Sequence, residues 1–402
     1  MSTRPLHLHP SDLQGLARLG VGGVRGVTDL VEHMHYAIQR IPGMAADAIP
    51  PRTSGITGLV YRSVHGVTGL VGGALEIALG TAAVRLGQAA STPERDRLLA
   101  VLNGVLGDHL EATGNPLAID MRLRYQGHDL SPDLDLSAQL PDPDRRLVIF
   151  VHGLCLDDRC WQPRAEDQPS GETTRVCLPE VMVRRGRTVL HLRYNTGRPI
   201  HANGREFARL LQRVTDNWPG RLDRIAIVGH SMGALVARSA AHAALHAGHG
   251  WPRLLHDLVF LAAPHLGSPL ERAGHGVDRM LGISRYSAPF ARIGRMRSAG
   301  ITDLRYGRVL ADEVSGPARL PGQTRCFAVA ATLDDDPSSF RSRRFGDGLV
   351  PVPSALGRHP DPARCLPVEA TRRHVASGTG HLEIMHDPEV ARRIIRWLES
   401  VA

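Results

Sequence analysis

The ten residues from Arg224 to Gly233 leave the chain little freedom in how to fold. The β-branched run Ile225 to Val228 reads as a strand and Ala234 to Arg238 as a small-residue helix, so Gly229-His230-Ser231-Met232-Gly233 must turn the chain between them. A serine at the top of so sharp a turn is held in a strained backbone conformation, tolerable only if the residues two before and two after it carry no side chain. Gly229 and Gly233 meet that condition. The helix that follows aims its free N–H groups and positive dipole end at the point where a negatively charged oxygen would develop. Ser231 is therefore a candidate nucleophile, with Gly229, His230 and Gly233 as the elbow that carries it.

The surrounding chain supplies a scaffold for such a turn. Leu147 to Val151 is a continuous apolar run of the kind a central parallel strand needs. The chain then cycles through helix around Leu178 to Arg185, strand Thr188 to Arg193, helix Gly204 to Asp216, strand Arg224 to Val228, helix from Met232 and strand Asp257 to Ala262. Strands alternating with helices of this length predict right-handed crossovers and a mostly parallel sheet covered on both faces, an α/β fold. Ile119 to Tyr125 alternates apolar and charged side chains and reads as a half-buried edge strand; Arg325 to Ala331 and Arg372 to Ala376 read as further strands, and Pro388 to Leu398 as a final helix.

A serine hydroxyl needs a neutral imidazole to take its proton, and the imidazole needs a carboxylate to fix its tautomer. Asp347, between two glycines after the strand Arg325 to Ala331, and His381, on a Gly-rich loop before the last helix, supply both in the order Ser, Asp, His. Asp334, Asp335 and Asp336 compete for the acid, and His374 and His386 for the base. The backbone N–H groups of Met232, after the nucleophile, and Leu154, after His152-Gly153, are the natural oxyanion-hole pair.

His152-Gly153-Leu154, Gly229 to Gly233, Ala263 to Pro269, Gly346 to Val350 and Gly380-His381-Leu382 together resemble the α/β-hydrolase superfamily, specifically bacterial lipase/esterase-like members related to the GPI inositol-deacylase group. The resemblance covers about residues 145 to 400. It implies an α/β-hydrolase fold and hydrolysis of carboxylic esters through an acyl-enzyme on Ser231, with Asp347 and His381 as partners and no cofactor or metal. Lipid-like or other apolar esters are the expected substrates. A non-catalytic module of the same fold and an acyltransferase are the alternative readings.

The 402 residues suit one large domain with an accessory segment. Residues 1–115 read as a Gly/Ala-rich helical segment and 116–402 as the catalytic domain, with a helical lid insertion at about 271–320. Gly26 to Val31 echoes Gly66 to Val71, consistent with a short duplication. Val64 to Val84 is near the length of a membrane span but carries Glu76, so packing on the catalytic body, interfacial attachment and insertion all stay open. Thr92-Pro93-Glu94 predicts a helix start.

All 48 basic residues are Arg, and the net charge of +8 favours anionic surfaces. With no long basic block and no nucleic-acid motif, nucleic acid is not an expected partner. The five cysteines form neither a disulfide framework nor a metal-ligand spacing. Cys155, Cys160 and Cys177 are near enough for one bridge, but free thiols are expected. Met1 to Pro10 lacks the pattern of a secretory signal, so a cytoplasmic, membrane-attached at most, location is expected; oligomeric state is not readable.

Overall fold

The computed structural model describes residues 9, 11–23, 91–133, 135–163, 175–267, 298–311 and 318–400. The echoed segments, the apolar stretch Val64 to Val84 and most of the 271–320 insertion lie outside the described residues. The described residues fall into two compact units, Met1–Arg95 with Leu110–Ala118 and Asp96–His109 with Ile119–Ala402.

In the smaller unit residues 11–23 are helical. Arg95 clasps Asp12 through two hydrogen bonds, Nε to Oδ2 at 2.7 Å and Nη2 to Oδ1 at 2.6 Å. Asn115 Nδ2 donates to the Gly15 carbonyl at 3.1 Å. Helix α1 (Pro93–Ala112) starts as its sequence predicts, with Thr92 Oγ1 accepting the Arg95 N–H at 3.3 Å and Pro93 in the first helical position.

The larger unit holds an eight-stranded sheet in the order β2-β1-β4-β3-β5-β6-β7-β8. The strands are β1 (Arg122–Tyr125), β2 (His128–Asp129), β3 (Arg146–Val151), β4 (Thr188–Arg193), β5 (Arg224–His230), β6 (Leu255–Leu261), β7 (Arg325–Ala331) and β8 (Arg373–Ala376). From β4 to β8 all pairs are parallel, and only β1 runs antiparallel to its neighbours. Alternation along each strand sorts side chains to two cores. Leu147, Ile149 and Val151 of β3 join one core with α3 (Ile200–Asp216) and α4 (Met232–His246). Val148 and Phe150 join the other with α2 (Leu178–Arg184) and α7 (Pro388–Glu399). Helices therefore cover both faces.

Local differences from the sequence reading have long-range causes. Strand β1 is shorter than expected and lies one strand in from the edge, with β2 outside it. The Ile119 N–H is taken by Asn103 Oδ1 at 2.9 Å instead of a strand ladder. Helix α3 begins a turn early, at Ile200, because Asp303 Oδ2 accepts the Ile200 N–H at 2.9 Å. Asp303 lies in α5 (Ala299–Tyr306), one of the described parts of the expected insertion. None of the five cysteines is joined in a disulfide. Among the described residues no helix is long and apolar enough to cross a membrane.

Candidate active site

The chain leaves β3 to form β4 on one side and then returns to form β5 on the other, so the connections diverge between β3 and β5. Open α/β sheets bind ligands in the crevice at such a point, beyond the carboxyl ends of the strands. Residues 152–154 follow β3 there, and Ser231 follows β5; Val151 and Gly229 are paired in the sheet.

Ser231 has φ 52° and ψ −121°, a conformation L-residues rarely adopt. Its N–H donates to the Leu261 carbonyl at 2.8 Å, which anchors the turn to β6. A Cβ at Gly229 would lie 2.6 Å from Ala234 N and Cα, and one at Gly233 2.4 Å from the Val151 and His152 carbonyl oxygens. The turn is thus closed to larger residues at both positions. His230 is buried, and its Nε2–H donates to the His381 carbonyl at 2.8 Å. Burial, and then the neighbouring His381, hold its pKa well below the usual histidine value, so the ring is a neutral prop for the histidine loop.

That loop brings His381 over the serine. Its Nε2 lies 3.0 Å from Ser231 Oγ and its Nδ1 2.8 Å from Asp347 Oδ2. Asp347 Oδ1 accepts the N–H groups of Leu349 and Val350 at 2.9 and 2.8 Å, which fixes the carboxylate. Both side chains are withdrawn from solvent, 3% exposed for His381 and 0% for Asp347. Gly346 (φ 51°) and Gly348 (φ 93°) make the tight turn that aims Asp347 inward. The rivals stand elsewhere: Asp334 accepts the Ser339 hydroxyl, Asp336 accepts that of Ser338, and His374 lies in β8 with Nε2 3.7 Å from Glu389. His386 caps the short turn before α7.

Leu154 and Met232 are fully buried, and among the described residues neither backbone N–H has an acceptor. Two free donors beside a serine suit an oxygen that becomes negatively charged. Gly153 lets the two loops meet, since a Cβ there would lie 3.1 Å from Ser231 Cβ and from His230 Nδ1. Groups with no sequence signal hold the Leu154 loop in place. Tyr194 donates its hydroxyl to the His152 carbonyl at 2.8 Å and its ring stacks on the His152 ring at 4.6 Å. Cys155 (φ 57°) donates its N–H to Thr196 Oγ1 at 3.2 Å. Its Sγ occupies the space above Gly104 of α1, where a Cβ would lie 2.2 Å away. Among the described residues no group of His, Cys, Asp and Glu is arranged to hold a metal.

The same loop carries a pH-dependent pair. Burial, and then the charge of Asp158, push the Asp157 carboxyl from 3.8 up to about 6; burial pulls His152 from 6.5 down to about 4. The folded state keeps the Asp157 proton between pH 3.8 and 6 while the unfolded chain loses it, so this group destabilises increasingly as pH rises through that window. His152 acts oppositely, because there the unfolded chain binds the extra proton. Its penalty is full near pH 4 and fades by about pH 6.5. Asp157→Asn keeps an oxygen for the Arg159 N–H, which Asp157 Oδ1 accepts at 3.1 Å. It should gain on the order of 2 kcal/mol at pH 7.5 and nothing at pH 4. Urea unfolding at the two pH values checks this; an unchanged midpoint at pH 7.5 would refute it.

An open parallel sheet with a buried Ser-His-Asp arrangement at its switch point defines a class of fold and site. The comparison with known families agrees: a model described as the alpha/beta hydrolase family matches residues 148–393, more than half of the chain, and the chain belongs to that family. The match does not single out the GPI inositol-deacylase group within it. No curated protein matches in sequence. Among solved structures the chain is similar to the mature lipase BlEst2 of Bacillus licheniformis, with 17% identity and a TM-score of 0.45 over 65% of this chain and 96% of that one. Pyrococcus furiosus esterase Pf2001 shares 16% identity at TM-score 0.38, over 64% and 81%. Phospholipase PlaB from Legionella pneumophila shares 16% at 0.42, over 64% and 60%.

Proposed function

We propose that this chain is a serine hydrolase of carboxylic esters, acting without a cofactor. The observation that carries the reading is the pair of contacts at His381, 3.0 Å to Ser231 Oγ and 2.8 Å to Asp347 Oδ2. His381 Nε2 takes the hydroxyl proton as Ser231 Oγ attacks the ester carbonyl. Asp347 holds Nδ1–H and steadies the imidazolium that forms. The N–H groups of Leu154 and Met232 receive the oxyanion. His381 returns the proton to the leaving alcohol, leaving an acyl group on Ser231, and then activates water to release the acid and restore the serine.

Lipid-like or other apolar esters are the substrates we favour, since the family resemblance of the five motifs lies on its lipase/esterase-like side. Hydrolysis of p-nitrophenyl esters from acetate to palmitate, wild type beside Ser231→Ala, tests the reading. Turnover that depends on Ser231 and peaks at long chains is expected. Wild-type turnover that survives in the variant would place the nucleophile elsewhere. Absence of turnover on every chain length would favour transfer to an acceptor other than water or a non-catalytic module.

A further inference from the structure

Helix α6 (Phe340–Phe345) is amphipathic in the inverse sense. Of its six residues only Ser342 is buried. The Ser342 hydroxyl donates to the Asp336 carbonyl at 2.7 Å and lies 2.8 Å from Thr332 Oγ1, so the inward contact of the helix is polar. Its aromatic residues face water, Phe340 67% and Phe345 44% exposed, and Leu333 from the preceding turn is 57% exposed. These are three of the eight exposed large apolar side chains among the described residues, gathered in one short stretch. Burial drives most such side chains inward, so a cluster left outside by a polar anchor points to a partner.

Arginines set the chemistry of that partner. Arg341, Arg343 and Arg344 are exposed between the two phenylalanines, and among the described residues none of their guanidinium groups has an ion-pair or hydrogen-bond partner, while that of Arg344 lies over the Phe345 ring, 6.0 Å from its centroid. Asp336 faces Arg343 only at longer range. Asp334 and Asp336 turn oxygens toward Ser339 and Ser338 to hold the turn, and Asp335 stays exposed. Aromatic and aliphatic side chains mixed with guanidinium groups that form no salt bridge complement a bilayer with acidic headgroups, which takes the apolar groups below the phosphates and the cations among them.

The patch is also stitched to the candidate site. The Leu333 N–H donates to the Gly346 carbonyl at 3.0 Å, one residue before Asp347. Thr379 N–H donates to Thr332 at 2.9 Å and Gly378 N–H to Asp334 at 3.3 Å, on the loop that carries His381. A surface that binds here therefore meets a body in register with the acid and the base.

We propose that Leu333, Phe340 and Phe345, with Arg341, Arg343 and Arg344, form a docking surface for an anionic lipid bilayer. The surface stands on exposure and charge alone; that it presents lipid esters to Ser231 rests on the hydrolase reading above. The test is co-sedimentation of the full chain with phosphatidylcholine vesicles, with and without phosphatidylglycerol. It compares wild type, Phe340→Ser with Phe345→Ser, and Arg341→Gln with Arg343→Gln and Arg344→Gln. Wild type should partition onto the mixed vesicles, the phenylalanine variant should lose about tenfold or more, and the arginine variant should lose about fivefold per residue together with the preference for phosphatidylglycerol. Thermal melts establish that the variants fold, and turnover of the soluble butyrate ester should match wild type. Wild type that ignores the mixed vesicles, or variants that partition as wild type does, would overturn the docking surface. Missing butyrate turnover in wild type would count against the hydrolase reading and leave the binding result readable.

Discussion

Ser231→Ala is expected to lower kcat by roughly 10⁴- to 10⁶-fold, the range seen when the nucleophile of a serine triad is removed. The loss should appear in kcat and leave KM nearly unchanged, because the hydroxyl contributes to bond making and little to ground-state binding. Ser231→Gly gives the same loss with a second signature. At φ 52° and ψ −121° the serine backbone is strained, whereas glycine adopts this region freely. Strain of this kind costs on the order of 1–3 kcal/mol, and the added chain entropy of glycine offsets about 1 kcal/mol of its relief. Ser231→Gly should therefore melt above Ser231→Ala by a degree or more. Steady-state kinetics and calorimetry on the two variants check both parts. Equal melting would remove the argument from backbone strain, and turnover within tenfold of wild type would remove Ser231 as nucleophile.

The strained serine is also the feature most legible in the sequence, for the reason that makes it strained. Only glycine fits at 229 and 233, because backbone carbonyls and the next turn occupy the space where side chains would go. Strands β4 and β7 fall on the residues their apolar runs predict, Thr188–Arg193 and Arg325–Ala331; β7 is buried along its whole length, and β4 holds only one polar residue, His191, inside its ends. Thr92 and Asp387 mark the starts of α1 and α7 through local hydrogen bonds three residues or fewer away. What the sequence hides is contact between distant segments. Asp303 starts α3 from 103 residues away, and Tyr194 braces His152 from 42. Periodicity also suggests nothing about α6, whose phenylalanines look like core residues until the buried Ser342 shows which side faces in.

Distance along the chain matters most for α1, and a truncation exposes it. A catalytic domain taken to begin near residue 116 would omit α1, yet Asp96–His109 belongs to the larger unit. Val101 and Val105 lie in its main core. Asn195 Nδ2 donates to the Gly107 carbonyl at 2.9 Å, Ser298 Oγ to Gly104 at 2.7 Å, and Ala299 N–H to Asp108 Oδ2 at 2.8 Å. Removing residues 1–115 would strip two core valines and leave those groups without partners while uncovering Cys155 beside the Leu154 donor. Two buried valines and three hydrogen bonds amount to roughly 5–8 kcal/mol, comparable to the whole stability of a typical domain. That chain should be insoluble or unfolded. A chain beginning at Ser91 keeps every one of these contacts and should give a cooperative melt. Soluble, folded protein from the shorter piece would show that α1 is dispensable. If only the longer piece folds, the helix that precedes the matched region is part of the machinery that shapes the oxyanion loop.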